Sequence, residues 1–171
     1  IATWNVNSLR VRLETLAPWL SQDGPDVVCL QETKVTDDLF PIHALADLGY
    51  QAVFTGQKTY NGVALLSRLP MTDVVPALPG APPGDEKRFI AATIAGVRVI
   101  NIYVPNGQAV ESPKFAYKLA WLQARRSDGV VITPVPVAGR DGDLIQKVGH
   151  PSMPGPRHVV ADRDRADARA G

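Results

Sequence analysis

An α/β fold, with mixed strands layered against covering helices, is what this sequence predicts, and three observations predict it. The chain opens strand, helix, strand within its first 32 residues. The run Asp26-Val27-Val28-Cys29-Leu30-Gln31-Glu32 is apolar between a Gly-Pro break and a polar exit, the pattern of a strand buried on both faces. Farther on, Phe89 to Ile94 and Val97 to Val104 read as strands joined by the tight Ala95-Gly96 turn of a hairpin.

The elements follow in order. Ile1 to Val6 is short and β-prone and begins at once, as a central strand would. Ser8 is placed to cap a helix in which Leu9, Leu13, Leu16 and Leu20 share one face, with Arg10, Arg12 and Glu14 turned away. Pro18 lies deep in that helix, where a proline costs ~3 kcal/mol unless the axis gives way, so a bend is expected there. Gly24-Pro25 ends it. A second helix is expected over Pro41 to Leu48, with Pro41 in its first turn and Gly49 just past its end. Tyr50 to Thr55 and Val63 to Ser67 read as strands, and Val75 to Asp85, with four prolines and two glycines, reads as a surface loop. Ser112-Pro113 supplies a cap and a first-position proline to a helix with Phe115, Leu119 and Leu122 on one face and Lys114 and Lys118 on the neighbouring one.

Beyond Gln123 the periodicity stops. Val130-Val131-Ile132 could be one strand, but prolines and glycines follow, and Asp162 to Ala170 is charge alternating with alanine. The composition divides at the same place. The 171 residues carry a net charge of +1 and are 45% hydrophobic, figures that suit one soluble domain. Yet all 11 aromatic residues lie in the first 121 positions. A packed core draws aromatics from every element that joins it. The expected organisation is therefore a folded part over 1–122 and an irregular tail over 123–171. The tail's Arg, Gly, Pro, Ala and Asp content is what a GC-rich coding region yields when read out of frame, which predicts a frameshift near Leu122. The lone thiol, Cys29, allows neither an internal disulfide nor a cysteine metal cage and points to a reducing, cytoplasmic compartment. No membrane span is expected, and the start without Met suggests a trimmed or partial chain.

Glu32 and Asn7 are the first candidates for chemistry. A carboxylate ending an apolar strand is unfavourable to bury unless it is paired or bound to a cation. Taken alone, Glu32 reads as a loop residue paired with Lys34, and Asn7 as a turn residue. Their surroundings say more. Trp4-Asn5-Val6-Asn7-Ser8-Leu9-Arg10, Leu30-Gln31-Glu32-Thr33-Lys34, Tyr60-Asn61-Gly62-Val63-Ala64-Leu65-Leu66-Ser67, Asn101-Ile102-Tyr103-Val104-Pro105-Asn106-Gly107 and Lys114 to Leu122 stand in the order and approximate spacing of the exonuclease III family. The chain resembles that branch of the endonuclease/exonuclease/phosphatase superfamily over about residues 1–122. Its Gln-Glu-Thr-Lys form is closer to the DNA nucleases than to the lipid or inositol phosphatases.

The resemblance implies a two-layer β-sandwich flanked by helices, present here as an incomplete N-terminal half. It also implies a DNA repair nuclease that depends on Mg2+, with Mn2+ as the alternative. The expected substrate is double-stranded DNA with abasic sites or damaged 3′ ends, and the expected state is a monomer. Glu32 resembles the family's metal-binding carboxylate, Asn7 the amide beside that metal, and Tyr103 the tyrosine that meets the scissile phosphate. Arg88, Lys114 and Lys118 are candidate DNA contacts, with solvated surface charge as the competing reading. Family sites also use a Gly-Asp-Phe-Asn motif and a late Asp-His pair, and neither string occurs here. Gly142-Asp143-Leu144-Ile145 is the nearest string, and His150 and His158 do not follow an Asp. Half of such a sandwich should leave the inner face of its sheet open and be poorly stable. Two other readings compete with an active nuclease: an inactive fragment that at most binds DNA weakly, and a phosphoesterase of the same superfamily.

Overall fold

The computed structural model describes residues 1–78 and 86–127. The expected strand at Val130 to Ile132, most of the proline-rich loop, Asp143, His150, His158 and the charged repeat from Asp162 lie outside the described residues. Two compact units are formed, one of Ile1–Val104 and one beginning at Pro105.

In the first unit, β1 (Ala2–Asn5) pairs in parallel with β2 (Val27–Gln31), which pairs antiparallel with β4 (Val63–Ser67), itself antiparallel to β3 (Gln51–Thr55). The order of this four-stranded sheet is β1-β2-β4-β3, so β1 is an edge among the described strands and not the central strand expected of it. A three-stranded antiparallel sheet follows, β5 (Met71–Val75), β6 (Phe89–Ile94) and β7 (Val97–Ile102). Ala95 and Gly96, at φ 48° and 76°, make the tight turn of the β6–β7 hairpin. β5 has no clear signal in the sequence. It is an edge strand with three exposed central residues, so it lacks the apolar run that marks β2 or β4.

Helix α1 (Leu9–Asp23) runs through Pro18 as one element, with Leu9, Leu16 and Leu20 fully buried and Leu13 packed beside them. The helix ends at Gly24, whose backbone turns extended, and only glycine fits there, because a β-carbon would come within 2.5 Å of the Leu20 carbonyl oxygen and collide with the Tyr50 hydroxyl. The second helix, α2 (Ile42–Ala46), is shorter than the expected Pro41 to Leu48, and a single 3-10 turn at Asp37–Leu39 precedes it.

Two apolar layers hold this unit together. On one side of the four-stranded sheet, Val28, Leu30, Ala64 and Leu66 pack against the α1 leucines, Leu45 of α2 and Tyr50. On the other side, Val27, Cys29, Val63 and Leu65 meet Ile90, Ala92, Ile94 and Val99 of the three-stranded sheet. The inner faces of both sheets are thus covered, contrary to the open face expected of a half-sandwich. The physical reason is that these residues contribute strands to both sheets, and each sheet shields the other. In the second unit, α3 (Pro113–Ser127) starts where Ser112 Oγ accepts the Phe115 N–H at 3.3 Å and continues past Gln123 to Ser127.

Candidate active site

The site is built where β1 and β2 leave their sheet side by side. Past Asn5 and Gln31 the two exits stay joined, with Val6 N–H donating to Gln31 O at 3.0 Å, Ser8 N–H to Glu32 O at 2.8 Å and Leu9 N–H to Thr33 O at 2.9 Å. Ser8 therefore begins α1 through its backbone. Its hydroxyl makes no capping bond, and the first helical amide, that of Leu9, is met by the neighbouring exit instead. The exits also hold four non-glycine residues at positive φ: Asn7 at 45°, Ser8 at 93°, Glu32 at 53° and Lys34 at 53°. Backbone strain concentrated in this way marks a place where side-chain direction is being imposed.

The loop before β4 buttresses the turn. Gly62 O and Asn61 O accept the Thr33 and Lys34 amides at 3.1 and 3.0 Å. Gly62 sits at φ 85°, and a β-carbon on it would collide with the Thr33 hydroxyl oxygen. This contact accounts for the Tyr60-Asn61-Gly62 motif: its backbone holds the Glu32 turn from the side.

Three groups converge on the half-buried Glu32 carboxylate. Asn5 Nδ2 donates to Oε1 at 2.9 Å, and the Lys34 ammonium lies 3.0 Å from Oε2. The Tyr103 phenol faces the same carboxylate closely enough to help lower its pKa. Lys34 Nζ also donates to Asn7 Oδ1, so a single cation faces both Glu32 and Asn7. Partial burial raises the carboxyl's pKa, but the Asn5, Tyr103 and Lys34 hydrogen bonds and the ammonium charge outweigh it and hold Glu32 below its ordinary value. Tyr103 moves the other way. Burial, then the bond to Glu32 and its negative charge, raise the phenol above its ordinary value, against a smaller opposing effect of Arg88.

Asn7, Glu32 and Tyr103 are thus brought together, and Arg88 stands beside them in a place that differs from the expectation. Instead of offering its guanidinium to solvent as a DNA contact, Arg88 is 8% exposed. Its guanidinium carbon stacks 4.7 Å from the Tyr103 ring centre, Nε pairs with Glu86, and Nη1 reaches Tyr103 O at 3.5 Å. In this arrangement it packs on Tyr103. Lys114 and Lys118 belong to the second unit, on α3. Lys114 is exposed, and the Lys118 stem lies close beside Gly107.

Asn5 is a site residue that sequence reasoning does not single out. It precedes Asn7 by two positions, and its side chain is oriented at both ends, with Oδ1 accepting the Asn7 N–H at 3.1 Å while Nδ2 reaches Glu32. Strand alternation carries the signal that could have found it: Thr3 and Asn5 share a face of β1, opposite Cys29 and Gln31 of β2.

The oxygens of Glu32 and Asn7 also provide a test for the metal that the family resemblance implies. Both face one cation, here the Lys34 ammonium. Among the described residues there is no cluster of three or more His, Cys, Asp or Glu. One carboxylate, one amide oxygen and water suit a hard divalent ion such as Mg2+, which keeps several of its waters, and do not suit a thiolate or imidazole metal. The donor set fits: Glu32 and Asn7 would hold such an ion, and both oxygens already face a cation, the Lys34 ammonium. No helix among the described residues is long and apolar enough to cross a membrane.

Comparison with known proteins agrees with this geometry. The Endonuclease/Exonuclease/phosphatase family matches residues 2–170. An exodeoxyribonuclease III of Haemophilus influenzae is 35% identical over 63% of this chain and 42% of its own length. Among solved structures, the 3′-5′ exonuclease NExo from Neisseria meningitidis superposes with a TM-score of 0.70 at 50% identity, covering 74% of this chain and 50% of that one. The same score and identity are found for the 3′ phosphatase NExo from Neisseria bound to product DNA hairpin. An AP endonuclease from Archaeoglobus fulgidus superposes with a TM-score of 0.66 at 48% identity, over 71% of this chain and 47% of that one. The chain spans about half the length of the relatives it matches. With the strand-exit site, the two facing sheets and a family match over nearly all its residues, the chain belongs to the endonuclease/exonuclease/phosphatase family.

Proposed function

We propose that this chain carries the Glu32-centred half of the active site of a divalent-metal-dependent DNA repair nuclease that hydrolyses phosphodiester bonds in double-stranded DNA beside abasic sites or at damaged 3′ ends. The observation that carries this reading is the convergence of Asn5, Lys34 and Tyr103 on Glu32, with Asn7 facing the same cation. Glu32 and Asn7 would hold Mg2+ or Mn2+. When bound, such an ion offsets charge developing on a phosphate and makes a water more acidic.

The chain's own residues do the rest. Asn5 fixes the rotation of the Glu32 carboxylate, so its outward oxygen points in one direction. Tyr103 stays protonated through neutral pH and can donate a hydrogen bond to a phosphate oxygen, while Arg88 holds its ring in place. Lys34, once displaced from Glu32, is a cation within reach of a bound phosphate. Lys114 and Lys118 are proposed as further DNA contacts on α3.

Turnover is expected to be low. The sequence contains no Gly-Asp-Phe-Asn string and no Asp-His pair, so residues that would position the water and protonate the leaving oxygen are not provided as the family provides them. The tail over 123–171 is proposed to be out of frame. Reading the coding region tests this, because a one-base shift must restore a Gly-Asp-Phe-Asn strand downstream. A second reading, phosphate release from DNA 3′ ends, is supported by the 50% identity to a 3′ phosphatase, equal to that with a 3′-5′ exonuclease.

Both readings are tested by incubating the purified chain, as a monomer and with Mg2+ or Mn2+, with an abasic-site duplex, a 3′-phosphate duplex and a recessed 3′ end. Metal-dependent product that disappears in Glu32→Ala supports a nuclease or a phosphatase, according to the substrate consumed. Absence of product from all three, with salt-sensitive retention of DNA, would instead support an inactive DNA-binding fragment.

A further inference from the structure

Between the two sheets, the apolar layer ends in a buried amide. Val99, Asn101 and Tyr103 succeed one another at alternate positions on the side of β7 that faces the four-stranded sheet, and Val27, Cys29 and Gln31 do the same on β2. Val99, Val27 and Cys29 pack as hydrocarbon and thiol. Asn101, 2% exposed, does something else. Its Nδ2 donates to Leu30 O at 2.8 Å and Ala64 O at 2.9 Å, and its Oδ1 accepts from Gln31 Nε2 at 2.6 Å. Gln31 in turn donates to Thr3 Oγ1 at 3.0 Å.

Leu30 and Ala64 are register partners on β2 and β4, so one side chain from the three-stranded sheet is bonded to two central strands of the other. An apolar residue of similar size would fill this space without needing three partners. What the amide adds is registry. Asn101 stands two residues before Tyr103, and the carbonyl and side chain it grips belong to the two residues immediately before Glu32. The Arg88 carbonyl and guanidinium also hold Tyr103 but come from its own sheet, and its ring touches the layer containing Val27 and Cys29 only by apolar packing, which sets no direction.

We propose that Asn101 is a positioning residue that sets the Tyr103 hydroxyl against the Glu32 carboxylate by tying β7 to β2 and β4 across the sandwich. The proposal rests on the reading of Glu32 and Tyr103 as site residues.

The test uses the full chain with Asn101→Val, which keeps the volume and loses all three hydrogen bonds. Asn101→Thr, strand-favouring and with one shorter donor, serves if the first variant does not fold. The first readout does not depend on turnover. In chain labelled with 13C-tyrosine, the Tyr103 ring resonance, assigned by its loss in Tyr103→Phe, shifts on Glu32→Gln. In the Asn101 variant that response disappears while the other three tyrosines keep their positions.

The second readout is cleavage of the favoured DNA substrate. A displacement of about 1 Å lowers kcat by about a hundredfold with KM little changed. In a Tyr103→Phe background the same substitution adds less than about twofold, because its effect passes through the missing hydroxyl. An unchanged response of Tyr103 to Glu32→Gln, or equal losses of kcat in both backgrounds, would reduce Asn101 to a packing residue and overturn the proposal. A chain that cleaves no DNA but retains the Asn101-dependent resonance response refutes the functional reading and leaves the positioning intact.

Discussion

The two faces of β2 start alike and end differently. Toward the helices, Val28 and Leu30 are fully buried among leucines, Phe40 and Tyr50, and that face remains apolar to its end. Toward the second sheet, Val27 and Cys29 are equally enclosed, but the next position is Gln31, and there the layer becomes a hydrogen-bonded group of Thr3, Gln31 and Asn101. Apolar contact is non-directional and fixes how tightly layers pack. Hydrogen bonds at set angles fix where one atom lies relative to another. The helix face accordingly supplies stability, and the sandwich face supplies direction to the carboxylate that follows.

Substitutions on the two faces should then fail in different assays. The largest effect is expected at the polar end: Glu32→Ala should lower DNA cleavage on the order of 10³-fold, as loss of a charge-stabilising group does, with little change in the urea midpoint. A large loss of stability in that variant would erase the division between the faces. On the helix face, Leu30→Ala should remove about 3 kcal/mol of stability by leaving a cavity, read from urea unfolding, with kcat retained wherever the variant is folded. Gly24→Ala probes the same layer at its margin. The new methyl meets the Leu20 backbone and the Tyr50 hydroxyl, and the expected cost is about 2 kcal/mol with no effect on the site.

The smallest effect concerns pH and sharpens the comparison at Glu32 itself. Because its folded pKa lies below the ordinary 4.5, the stability it contributes is present above that value and is lost as pH falls through the lowered one. Glu32→Gln should therefore flatten the acid limb of the stability profile below pH 4.5, whereas Leu30→Ala should move the whole profile down without changing its slope. Equal slopes in wild type and Glu32→Gln would show that the carboxylate gains nothing from its partners.

Much of this layout is legible in the sequence. The α1 stripe of Leu9, Leu16 and Leu20, the doubly buried β2, the span of β4 and the Ala95-Gly96 turn all have patterns that local spacing reveals. β5 and the 3-10 turn do not, since short, exposed elements are held by their neighbours more than by their own residues. Among the candidate site residues, Glu32, Asn7 and Tyr103 can be singled out through a family resemblance, while the contact of Asn5 with Glu32 cannot, nor can the stacking of Arg88 on Tyr103. Both differences have one cause. Asn5 depends on its pairing with Gln31, and Arg88 on a tyrosine 15 residues away whose ring covers it.

What the sequence by itself determined is the set of segments and the candidates each carries: apolar periodicity assigns strands and helices, and the motifs point to a carboxylate, an amide and a phenol as candidates for one site. What only the tertiary structure decided is which atoms meet. That Glu32 receives Asn5 and Tyr103, and that Asn101 grips β2 and β4 from the opposite sheet, depends on contacts between residues 27 to 71 positions apart. Spacing along a chain does not encode such directions, because they arise only when two sheets close on each other and leave each buried polar atom to find a partner in the facing layer.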